Sequence, residues 1–153
     1  SGNIGLKITA NGRMYTGGSN RGWGSWGPEL DSVERVDWTG KMPFEIHQMR
    51  ARPDGFELTF TQPIDPASAK AESFSCSAYT YRYSKGYGSP ELENVDPQIV
   101  VTSVAPDRMS LRLKLTPLTK GHVHELAAPG LKSTKGLNLL HDTAYYTLNE
   151  IPE

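Results

Sequence analysis

Two stretches constrain this chain more than anything else in it. In the first, Phe56, Leu58 and Phe60 alternate with Glu57, Thr59 and Thr61; in the second, Leu111, Leu113 and Leu115 alternate with Arg112, Lys114 and Thr116. An apolar residue at every second position suits a β-strand with one face on a core and the other in water, and it suits no helix. Further strand candidates are Gly5–Ile8, Arg13–Thr16, Val33–Trp38, Glu45–Ala51, Phe74–Arg82, Gln98–Val104, His122–Leu126 and Ala144–Leu148. The 15 glycines and 11 prolines among 153 residues cut the chain into short runs. Short strands at regular spacing point to an all-β sandwich. Pro53-Asp54-Gly55, between two such runs, predicts a hairpin turn. One segment reads as a short helix: Asp65 as N-cap, Pro66 at the first helical position, then Ala67, Ala69, Lys70, Ala71 and Glu72.

The chain is long enough for one ordinary domain with a core of its own. A boundary is expected near Thr39–Pro43, which gives a segment 1–42 and a sandwich 43–153. The first segment, β-stranded and Gly-rich, is too small to own a core. It is expected to pack on the sandwich or to be the torn end of a preceding domain. Ser1-Gly2 has the look of a protease scar, so the chain is expected to be a piece of something longer.

Charge and cysteine content narrow the function. A net charge of -1, with 16 basic and 17 acidic residues interspersed, leaves no field to gather nucleic acid or an anionic membrane. Neither partner is expected. No apolar run approaches the roughly 18 residues that span a bilayer. Cys76 is the only cysteine, so no intrachain disulfide or Cys-x-x-Cys metal site can form. Flanked by Ser75 and Ser77, it reads as a small buried hydrophobe.

Candidate ligand-binding residues cluster in two places. The stretch from Gly17 to Pro28 is rich in glycine and carries Trp23, Trp26, Arg21 and Asn20. Aromatic rings beside arginine, asparagine and serine suit sugars, which offer an apolar face and in-plane hydroxyls. The same tryptophans could simply anchor a surface loop. Gly22–Gly27 formally matches G-x-G-x-x-G, but Pro28 follows and tryptophans fill the variable positions, so a dinucleotide site is not expected. The second cluster is Tyr79, Tyr81, Arg82 and Tyr83, with Tyr87 beyond. On one strand the three alternating tyrosines would share a side. Facing the core they would be packing; facing water they would be a platform for a glycan.

Catalytic and metal signatures are weak. His122 and His124 form an H-x-H pair that would share a strand face, and His47 or His141 could supply a third ligand. The plainer reading puts His124 in the core beside Leu126, with His122 capping the strand. No nucleophile elbow, glycosidase-like carboxylate pair or calcium loop is present. No cofactor and no resident metal are expected.

From Phe44 onward the pattern resembles the bacterial immunoglobulin-like modules of S-layer-associated and copper-resistance proteins. The landmarks are Asp54–Thr61, Pro63-Ile64-Asp65-Pro66-Ala67, Phe74, Leu111–Leu115, His122–Leu126, Gly130-Leu131-Lys132 and Gly136–Leu139. The resemblance implies an immunoglobulin-like β-sandwich. The whole chain is similar to something narrower. Tyr15–Ser25, Glu34-Arg35, Trp38–Lys41, Pro43-Phe44-Glu45, Tyr87–Glu91 and Tyr145–Asn149 resemble the tail of secreted bacterial proteins that carry a sorbosone/glucose-dehydrogenase-like propeller, often joined to cytochrome modules. In that likeness, residues up to Gly40 would be the last propeller strands. It implies a periplasmic or extracellular setting in carbohydrate oxidation.

The expectation is therefore a non-catalytic accessory module that binds polysaccharide or braces neighbouring redox domains, with Trp23, Trp26, Arg21, Asn20 and Tyr87 as ligand contacts. The rivals are a fragment of a sugar dehydrogenase completed by a missing propeller and a copper-binding redox accessory domain.

Overall fold

The structure, a computed structural model, describes residues 2–19 and 29–153. The chain divides into two compact units, Ser1–Lys41 and Met42–Glu153.

The first unit is a three-stranded antiparallel sheet, β1 (Asn3–Ile8), β2 (Met14–Ser19) and β3 (Asp31–Val36), in that order. Ile8 pairs with Met14 and Met14 with Val36, so these apolar side chains share one face. Leu6, Ile8, Val36 and Trp38 are exposed, and none of the described residues of this unit is buried. Arg35 Nε lies 2.8 Å from Asp37 Oδ2.

The second unit is a sandwich of two four-stranded antiparallel sheets. Its strands are β4 (Ile46–Arg52), β5 (Gly55–Phe60), β6 (Ser75–Thr80), β7 (Leu92–Val95), β8 (Gln98–Val104), β9 (Ser110–Thr116), β10 (His122–Ala127) and β11 (Thr143–Leu148). One sheet runs β4-β5-β9-β8 and the other β11-β10-β6-β7. In immunoglobulin lettering these orders are A-B-E-D and G-F-C-C′, so the expected fold is the observed one.

The alternating strands do what their pattern demands. Phe56, Leu58, Phe60, Leu111, Leu113 and Leu115 are all at most 3% exposed. Phe56 sits opposite Leu113 and Leu58 opposite Leu111 in the β5–β9 register. The facing sheet contributes Cys76, Ala78, His124, Leu126 and Leu148. Antibody domains join strands B and F by a disulfide. Here the same two strands meet through a ring contact, Phe56 edge-on to His124 at 5.2 Å between centroids.

One local expectation needs correction. The short helix is absent, and two 3₁₀ turns, Pro66–Ser68 and Ala71–Ser73, stand in its place. Asp65 does cap, its Oδ1 accepting from the Ala67 amide at 3.0 Å. But Ser68 Oγ donates back to the Asp65 carbonyl at 2.7 Å and accepts from the Lys132 amide, which closes the first turn early. Lys70 is already extended, with φ -110° and ψ 159°. The hairpin turn forms where expected, with Pro53-Asp54 as its two loop residues and Arg52 paired to Gly55. Gly55 is the first residue of β5, and a Cβ there would fall inside van der Waals contact with the Leu113 carbonyl.

Gly55→Ala is therefore expected to destabilise the sandwich by about 1–3 kcal/mol, the range for overpacking a tight interior. Urea unfolding of the two proteins checks this, and equal midpoints would refute the close approach.

Candidate functional site

Of the five nominated ligand residues, Asn20, Arg21, Trp23 and Trp26 lie outside the described residues, as does the glycine pattern at 22–27. Tyr87 is described and wholly exposed, in the loop between β6 and β7.

The tyrosine run does not form one strand face. The expected strand Phe74–Arg82 ends at Thr80, because the Arg82 amide leaves the ladder and donates to Ser89 Oγ at 3.1 Å. Across from it β7 pairs irregularly with β6, and Glu93 takes a positive φ of 54°. Tyr79 is only 5% exposed, yet it lies on the outer face of its sheet, opposite Val123. The Tyr81 ring covers it, edge-on at 5.5 Å, while Tyr81 itself is 50% exposed. Tyr83 and Tyr87 stand out in solvent.

Register brings further residues to that outer face. Glu125 pairs with Ser77 on one side and Tyr145 on the other. Directly opposed residues on one face have Cβ atoms about 4.5–5.5 Å apart, so Tyr145, Glu125 and Ser77 form a row. The Tyr79 hydroxyl lies 3.5 Å from Glu125 Oε2. Tyr145 is 61% exposed. Beside this row, β7 pairs with β6 only at Ala78 and Thr80, so Ser75–Ser77 has no strand on that side. A cavity of about 450 Å³ opens there, lined among others by Phe74, Ser75, Ser77, Asp96, Ile99 and Glu125. A second cleft, of about 440 Å³, lies near the other end of β6 and includes Tyr81, Arg82, Glu93, Lys120 and His122. Glu125, Tyr145, Asp96 and Ser77 carry no motif in the sequence; only the strand register collects them.

The electrostatics of the face are acidic. Burial, then the charges of Asp96 and Glu125, push the Cys76 thiol up to about 12. A hydrogen bond with Tyr81 and burial push the Tyr79 phenol up to about 12, with Glu91 and Glu125 adding to it. The Tyr145 phenol is raised, chiefly by the Glu125 charge.

The histidines take the plainer of their two readings. His124 is fully buried against Phe56, and neither ring nitrogen has a hydrogen-bond partner. His122 is buried at the strand start, its Nδ1 3.2 Å from the Lys120 carbonyl and its Nε2 3.8 Å from Glu93. His141 is engaged elsewhere, with Nδ1 2.7 Å from Glu45 Oε1, and His47 is exposed on β4 in the other sheet. Among the described residues no group of three or more His, Cys, Asp or Glu is arranged to hold a metal ion.

No protein-family model and no curated protein matches the chain. Solved structures do. The N-terminal part of the bacterial S-layer protein SbsC is similar over 71% of this chain and 24% of that one, with 22% identity and a TM-score of 0.54. A longer fragment of the same S-layer protein is similar over 71% of this chain and 14% of that one, again with 22% identity, at a TM-score of 0.53. At this identity the likeness establishes the sandwich fold alone. The chain spans a small part of those proteins' length.

Two outcomes follow. Burial lowers the His124 pKa, so the unfolded chain takes up its proton first as pH falls. The stability this neutral histidine contributes is present above its unfolded value, about 6.5, and is lost as pH drops below it. Urea midpoints at about pH 8 and about pH 5 are expected to fall less in His124→Leu than in wild type; equal falls would contradict this. Cys76, buried and held protonated, should resist a thiol reagent at about pH 8 in the folded protein and react fully once unfolded. Stoichiometric labelling of the native state would contradict its placement.

Proposed function

We propose that this chain is a non-catalytic accessory module of a cell-surface or extracytoplasmic protein, and that its sandwich binds polysaccharide. The observation that carries this reading is the outer face of the β11-β10-β6-β7 sheet. Tyr81 and Tyr145 present rings to solvent there, beside the hydroxyls of Ser75 and Ser77 and the carboxylate of Glu125. A sugar ring needs a flat apolar surface and hydrogen-bonding groups around its rim. An open sheet face suits an extended chain better than a small enclosed substrate.

Setting draws on two likenesses. S-layer proteins are surface proteins by name, and their sandwich resembles this one. The residues from Tyr15 to Ser25 and from Tyr145 to Asn149 resemble the tail of secreted propeller dehydrogenases, which fits carriage beside a carbohydrate-oxidising domain. A second reading, bracing of neighbouring domains, is favoured by the uncovered apolar face of Leu6, Ile8, Val36 and Trp38 in the first unit.

Calorimetry or affinity electrophoresis against a panel of polysaccharides tests the proposal. Dissociation constants from millimolar to micromolar are expected, with each stacked ring contributing on the order of 1 kcal/mol, about a fivefold change. Tyr81→Ala and Tyr145→Ala should each weaken binding by that factor. Loss confined to Trp23→Ala and Trp26→Ala would move the site to the Gly17–Pro28 segment. No binding to any glycan by the folded protein would favour bracing.

A further inference from the structure

Glu91, Asp96 and Glu125 make no ion pair among the described residues. The cavity that Asp96 and Glu125 line together contains no lysine or arginine. Their charge is felt by their neighbours, since the Cys76 thiol and the Tyr79 and Tyr145 phenols are all raised in part by these carboxylates. Glu125 is half-buried between two tyrosines, Tyr145 directly across the ladder and Tyr79 with its hydroxyl 3.5 Å away.

We infer that the outer face selects glycans carrying protonated amino groups, such as polymers of glucosamine, with the ammonium seated on Glu125 in the cavity that Asp96 also lines. The inference deepens the polysaccharide reading and rests on it. A carboxylate among aromatic rings is complementary to an ammonium on a partly apolar body, because the charge is paired and the ring faces add cation–π attraction. An acidic glycan would meet like charge, and a neutral one would leave the half-buried Glu125 carboxylate without a counter-charge. The cavity volume, about 450 Å³, lies within the range of about 300–1,000 Å³ that takes small ligands. The serine hydroxyls of Ser75 and Ser77 line it and can serve the neighbouring hydroxyls of a sugar.

The test is calorimetry of the full chain with three probes: a glucosamine hexamer, the N-acetylglucosamine hexamer and tetralysine. Wild type should bind the glucosamine hexamer at least about tenfold more tightly than its acetylated counterpart, and the difference should shrink at roughly 0.5 M salt. In Glu125→Gln, and independently in Asp96→Asn, the ratio between the two sugars should collapse toward unity. Comparable wild-type binding of both sugars would overturn the inference and leave the polysaccharide reading standing. Failure of both sugars to bind would overturn the inference, and binding of another glycan of the panel would then keep the polysaccharide reading while its absence would overturn that too. Tetralysine bound as tightly as the glucosamine hexamer would overturn it in favour of a basic protein partner.

Discussion

The sandwich depends on the pairing of β5 with β9. These two strands occupy the middle of one sheet, and every inward side chain on them is a phenylalanine or a leucine. A slip of one residue would turn Glu57, Thr59, Arg112 and Lys114 into the core, so the register has one acceptable value. Gly55 enforces it at the start of β5, where only a missing side chain lets the β9 backbone come close. Once that layer is set, β10 must supply a matching inner face. It does so with His122, His124 and Leu126, all buried. The ring of His124 stacked edge-on to Phe56 then ties the two sheets together without a covalent link.

The strands were legible wherever one face is apolar and the other polar. Leu111 to Leu115 declares itself by parity, as does Phe56 to Phe60. The helix was misread because propensity was counted without the side-chain bonds of Ser68, which offer the backbone a tighter turn. The tyrosine run failed differently. A choice between core and solvent omitted a third state, in which Tyr79 faces outward and is buried by its own neighbour Tyr81. β7 was not foreseen at all: Leu92–Val95 has no period and is held by pairing with β6 alone. The row of Tyr145, Glu125 and Ser77 could not be read from one dimension. These residues lie far apart in the chain, and only knowledge of which strands are neighbours makes them adjacent.

The face they form is polar, aromatic and acidic within a chain whose overall charge is close to zero. Bulk charge therefore gives no hint of it. The inner face of the same strands is occupied by Cys76, Ala78, His124 and Leu126. Strand alternation thus separates what stabilises the module from what it can recognise. Changes on one face reach the other only through the backbone.

The ring contact in place of a disulfide also decides how the module behaves when its ends are pulled apart. A bridge between β5 and β10 would shield everything between those strands from extension. With no covalent cross-link, the unit from Met42 to Glu153 can unravel completely once its sheets part. At about 3.3–3.6 Å per residue it would lengthen into a tether of roughly 370–400 Å. Every residue of the unit therefore counts toward its contour length, with no covalent loop held back.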